Sequence, residues 1–249
     1  MTRKAAVLWF VLAFAAAVVA GCAAGGNERE ASRINTQLGI NYMQQDNLNQ
    51  ASDSLEKALE QDRRNPEAHA AMAVLSERLE KYDDADRHFR RALRLDDEQP
   101  SVRNNYGRFL CNQERYEEAQ EQFQHAIDDP LYQRRHVALS NAGLCALRTG
   151  HKDEAEEYLR RALERQPDFA PALRRLAELR FESGDYLSAR GYYQRFVERG
   201  EQTAGTLLLG IRIEEALDNL DEAASYSLRL RSQFPDSEEA QSVRRMDIE

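Results

Sequence analysis

Asn104 to Ala126 reads NNYGRFLCNQERYEEAQEQFQHA, and its spacing decides the fold. Small residues at Gly107, Ala119 and Ala126 let two antiparallel helices approach closely, while Tyr106 and Phe123 fill the space between them. The stretch therefore describes one helical hairpin.

The same alanine recurs at Ala51, Ala85, Ala119, Ala155, Ala189 and Ala223, at intervals of 34, 34, 36, 34 and 34 residues. A second small position recurs at Ala58, Ala92, Ala126 and Ala162, and a third at Gly39, Ala73, Gly107, Gly143 and Ala177. Several positions recurring together with this period are the tetratricopeptide signature, which predicts an all-α, right-handed superhelix of six helix-turn-helix repeats. The repeats fall at 32–65, 66–99, 100–133, 136–169, 170–203 and 204–237. Arg134 and Arg135 are the two extra residues behind the interval of 36. Pro66 and Pro100 open repeats, where a missing N–H costs nothing. The last two repeats depart from the pattern: Phe196 and Leu230 replace the second small residue, and Ser227 stands where a large side chain is expected. The polar segment 238–249 suits a terminal cap or a loose tail.

The beginning of the chain is of another kind. Arg3 and Lys4 precede an apolar run from Ala5 to Ala20, the form of a secretory signal peptide covering residues 1–21. It ends in Val19-Ala20-Gly21-Cys22, which resembles a bacterial lipobox and makes Cys22 the expected lipidation site. By the sorting rule known for such lipoproteins in Gram-negative bacteria, Ala23 rather than Asp after the cysteine implies the outer membrane, with the repeats expected on the periplasmic face. Residues 22–31 read as a lipidated flexible tether of at most ~35 Å. Removing the leader takes the net charge from −9 to −11 and removes the single tryptophan, Trp9.

This charge argues against nucleic-acid binding. The basic runs Phe89 to Leu95 and Tyr158 to Arg165 each end a helix that begins acidic, so i,i+4 pairs on a wet face account for them. The five histidines show no i,i+4 pair, and there is no phosphate loop or nucleophile elbow. No enzyme, metal, cofactor or small-molecule substrate is expected.

Cys111 and Cys145 occupy first helices of consecutive repeats. In an oxidising compartment they are candidates for a disulfide, the alternative being two buried free thiols. A binding groove is expected along the first helices, at Thr36, Ile40, Met43, Ala70, Val74, Asn104 and Arg108, ordinary repeat packing being the alternative for the apolar ones.

The lipobox, followed by RINTQLGINYMQQDNL (33–48), NNYGRFLC (104–111), NAGLCALRTG (141–150), LGIRIEEAL (209–217) and YSLRLRSQFPDS (226–237), resembles the PilF/PilW family of type IV pilus biogenesis lipoproteins. The resemblance implies an outer-membrane pilotin that binds the pilus secretin PilQ and promotes its localisation and multimerisation. It also supports the cysteine pairing, because both cysteines lie in matching segments. The other reading is an outer-membrane repeat lipoprotein that scaffolds β-barrel assembly or recruits peptidoglycan hydrolases.

Overall fold

The computed structural model describes residues 27–246. Cys22 and the leader lie outside the described residues, as does the end of the chain beyond Met246. The described chain is helical with no strand, and none of its helices is long and apolar enough to cross a membrane. It divides between Tyr106 and Gly107 into two compact units.

The first unit contains α1 (27–44), α2 (Leu48–Gln61), α3 (Pro66–Arg78), α4 (Tyr82–Leu95) and the start of α5 (Pro100–Asn112). Residues 27–31, expected in the tether, are instead the first turns of α1. Glu and Arg are good helix formers, and the Arg33 guanidinium donates to the Glu30 carboxylate one turn back at 2.7 Å. The small residues do what their spacing requires. A Cβ on Gly39 would stand 2.5 Å from Leu55 Cγ, so only glycine lets α2 seat its leucine against α1. Met43, Ala51, Leu55, Ala71, Met72 and Leu75 form one buried cluster.

The second unit continues through α6 (Tyr116–Asp128), α7 (Arg135–Arg148), α8 (Lys152–Arg165), α9 (Ala170–Glu182), α10 (Tyr186–Val197), α11 (Ala204–Ala216), α12 (Leu220–Gln233) and α13 (Glu238–Met246). The inserted arginines end the 129–134 connection and open α7. α13 buries Ala240 and Val243 against the last hairpin.

Each turn inside a hairpin places its fifteenth residue in the left-handed region: Asp46, Glu80, Glu114 and Asp218 at φ 58–61°, Gly150 and Gly184 at 78–79°. A left-handed residue after the first helix frees the chain to reverse within three residues. Successive hairpins are joined by polar contacts between the second helix of one repeat and the first helix of the next. Tyr106 donates its hydroxyl to Asp86 at 2.8 Å, Arg180 pairs with Glu156, and Arg190 approaches the buried Glu214 at 3.7 Å. Glu214 also accepts from Asn219 at 2.8 Å, which offsets part of the cost of burying its charge.

Candidate functional site

On one face of α1 two apolar residues a single turn apart are uncovered: Ile34 is 53% exposed and Leu38 41%. With Arg33, Gln37, Asn41 and Glu67 they line a shallow groove of ≈520 Å³ in the first unit. The cause is positional. In the later repeats the residues equivalent to Ile34 (Ala68, Val102, Ala138, Ala172, Thr206) and to Leu38 (Met72, Tyr106, Ala142, Leu176, Gly210) are buried, because a preceding hairpin covers them. No described element precedes α1, and among the described residues nothing covers its equivalent face.

The expected groove residues behave differently. Thr36 is 1% exposed; its hydroxyl donates to the Ser32 carbonyl at 2.8 Å and accepts from Asn65 Nδ2 at 3.3 Å. Ser32 in turn donates to the Ala58 carbonyl at 2.7 Å, so Thr36 belongs to a buried polar knot between α1 and the turn after α2. Met43 is 8% exposed and part of the core cluster, and its carbonyl accepts from Arg78 at 2.6 Å. Asn104 is buried as well. These three do not line a groove. Ile40 and Val74 are half-buried against the same cluster, which is repeat packing, and Ala70 is half-buried beside them on α3. Arg108, in the second unit, is half-buried and engaged in contacts of its own.

The structure brings the sulfurs of Cys111 on α5 and Cys145 on α7 within bonding distance, with Cα atoms 5.9 Å apart. Both side chains are buried. The basic runs are paired along their own helices: Asp86 with Arg90 and Glu156 with Arg160, each at 2.7 Å.

One pairing was invisible to spacing rules. His69 on α3 and His88 on α4 bring their Nδ1 atoms to 2.9 Å, although they are 19 residues apart. Burial lowers both pKa values, that of His88 to about 4, and the neighbouring Arg87, Arg91 and Arg94 act in the same direction. Among the described residues no group of three or more His, Cys, Asp or Glu is placed to hold a metal ion.

Tetratricopeptide-repeat family models match residues 32–65, 68–101, 98–168 and 140–205. The chain is 37% identical to the type IV pilus assembly protein PilF of Pseudomonas aeruginosa over 97% of its own length and 98% of that protein. It is also 32% identical to an uncharacterised Haemophilus influenzae protein over 57% of this chain and 80% of the other. The solved structure of Pseudomonas aeruginosa PilF superimposes with a TM-score of 0.80, covering 88% of this chain and 99% of that one. The crystal structure of PilW, a type IV pilus biogenesis factor, gives a TM-score of 0.77 at 36% identity, covering 85% and 97%. The repeats, their spacing and these full-length likenesses place the chain in the PilF/PilW family of type IV pilus tetratricopeptide-repeat proteins.

Proposed function

We propose that this protein is an outer-membrane pilotin, lipidated at Cys22, that binds the pilus secretin PilQ and promotes its localisation and multimerisation. The observation that carries the binding step is the open Ile34 and Leu38 face of α1. Two apolar side chains one helical turn apart, flanked by Arg33, Gln37, Asn41 and Glu67, suit a short amphipathic or extended segment whose apolar residues enter the groove. The binding face is thus Ile34 and Leu38 rather than Thr36, Met43 and Asn104, which are buried. Lipid attached a few residues before α1 would hold this face close to the bilayer where the secretin assembles. In an oxidising periplasm Cys111 and Cys145 form a disulfide that ties repeat 3 to repeat 4.

Affinity of the mature protein for detergent-solubilised secretin tests the reading. Leu38→Asp removes an exposed apolar contact without touching the core, and is expected to weaken binding by about tenfold or more. Undiminished affinity for Leu38→Asp and Ile34→Asp would remove this face from the reading.

A further inference from the structure

Each of the four later junctions between repeats is spanned by a polar side chain that meets the twenty-first residue of the earlier repeat. Asp86 accepts from Tyr106, and Gln120 meets the Tyr158 hydroxyl. Glu156 and Arg190 face Arg180 and Glu214, each the eleventh residue of the following repeat. Between repeats 1 and 2 the same two positions are Ser52 and Ser76, whose side chains are too short to span the junction. No neighbour takes the space in their stead. Met72, Leu75 and Leu79 form the floor, and both serines still border a groove of ≈460 Å³ between α2 and α4.

Ser76 is 5% exposed, and among the described residues its hydroxyl has no hydrogen-bond partner. A buried hydroxyl left unpaired is costly, so this one calls for a polar group entering from the groove. Ser52 donates to the Glu56 carboxylate one turn on at 2.9 Å, which holds Glu56 beside it. The charges are unevenly placed along the walls. α2 and α4 run the same way against α3, whose last residue, Arg78, pairs with Asp46 just before α2. Lys81 therefore stands at one end of the groove, at the cap of α4, and Arg63 at the other, past the last turn of α2. Glu56 and Glu60 lie between these ends on α2, with no ion pair among the described residues, while Asp84 on the facing wall is paired with Arg87. His88 is neutral, burial having lowered its pKa to about 4. The middle of the groove is thus acidic and rich in hydrogen-bond acceptors.

We propose that this groove, independently of the secretin reading, binds an arginine side chain of a partner protein. The guanidinium enters between Ser52 and Ser76, donates to the Ser76 hydroxyl and pairs with Glu56, while its methylene stem lies on Leu75 and Leu79. Arg180 does this in cis between repeats 4 and 5, where it pairs with Glu156 from the position that Ser76 holds here. Arginine suits the place better than lysine, because its planar fork offers donors to several acceptors at once and is less strongly hydrated. Residues 23–26 and 247–249, which flank the described chain in the mature protein, contain no arginine and cannot supply it.

The test titrates the mature protein, followed by NMR, with the capped pentapeptide Ala-Leu-Arg-Leu-Ala and with its citrulline counterpart, which keeps the shape and loses the charge. The arginine peptide is expected to shift the amide signals of Ser52, Glu56 and Ser76 and to bind about tenfold more tightly than the citrulline peptide. Glu56→Gln, on an exposed wall, is expected to weaken binding by a similar factor. Ser52→Arg places a guanidinium in the groove in cis and is expected to abolish binding with the melting temperature unchanged or raised. Lys81→Met removes the cation at one end and is expected to leave binding unchanged or tighter. Equal binding of the two peptides, unmoved signals at these three amides, or full binding by both Glu56→Gln and Ser52→Arg would overturn the proposal. So would loss of binding in Lys81→Met, which would make the groove an anion site. A wild-type dimer that Ser52→Arg dissociates would also overturn it, by placing a second copy of this chain there.

Discussion

His69 Nδ1 lies 2.9 Å from His88 Nδ1, and His69 Nε2 lies 3.2 Å from the Arg63 carbonyl oxygen. The carbonyl can only accept, so His69 carries its proton on Nε2, and His88 donates Nδ1–H to the bare His69 Nδ1. The pair ties α3 to α4 as two neutral rings. Both pKa values are depressed below the ordinary ~6.5, His88 to about 4, so the unfolded chain binds more protons between those values. The contribution of the pair is complete above about pH 6.5 and is lost as the pH falls toward 4. Melting temperature is expected to fall more steeply from about pH 7 to about pH 5 in the wild type than in His88→Gln. Parallel slopes would contradict the neutral pairing.

Cys111 and Cys145 are separated by 34 residues in sequence and join first helices of consecutive repeats. Closing a loop of that length restricts the unfolded chain by about 3 to 4 kcal/mol in chain-entropy terms. Reduction, or Cys145→Ser, is expected to lower the stability of the second unit by that order. Denaturant unfolding with and without reductant measures it, and coincident curves would show that the thiols are free.

A Cβ on Gly107 would stand 2.8 Å from the Phe123 ring and 3.1 Å from the Ala119 carbonyl oxygen. The ring is fully buried and the carbonyl belongs to α6, so neither moves aside cheaply. Gly107→Ala is expected to destabilise by about 1 to 3 kcal/mol. A neutral result in urea unfolding would mean that the hairpin separates freely at this contact.

Glu114 holds a left-handed conformation at φ 61°, where Gly150 and Gly184 stand in the two following repeats. Only glycine adopts this region without steric cost. Glu114→Gly is expected to raise stability by up to about 1 kcal/mol, in contrast with glycine placed inside a helix. A lower melting temperature would show that the Glu114 side chain contributes more than its backbone costs.

The hairpins were legible because their contacts repeat. Gly39 against Leu55 and Gly107 against Phe123 are one contact at two places, and any residue obeying the period could be assigned from its neighbours one repeat away. Departures from the period were harder to interpret. Leu38 has the residue type of a buried position and is exposed because no described hairpin precedes it, a property of its place in the series rather than of its spacing. The repeat spacing puts Thr36 on a groove wall, but its burial depends on Ser32, Ala58 and Asn65, hydrogen-bond partners that no apolar pattern reveals. Glycine and small residues just before 27–31 read as a loose tether, while Glu30 and Arg33 supply an i,i+3 pair that extends the helix back to residue 27. His69 and His88 meet because antiparallel helices fold residue 88 back beside residue 69, and local spacing carries no sign of that.

The most direct measurement is the amount of heat-stable secretin multimer in the outer-membrane fraction of cells lacking this gene, complemented with the wild type, Leu38→Asp or Cys22→Ser. Wild type is expected to restore the multimer. Leu38→Asp is expected to leave the secretin monomeric for want of binding, and Cys22→Ser to leave it away from the outer membrane for want of an anchor. Undiminished multimer in cells without the gene would contradict the pilotin role itself.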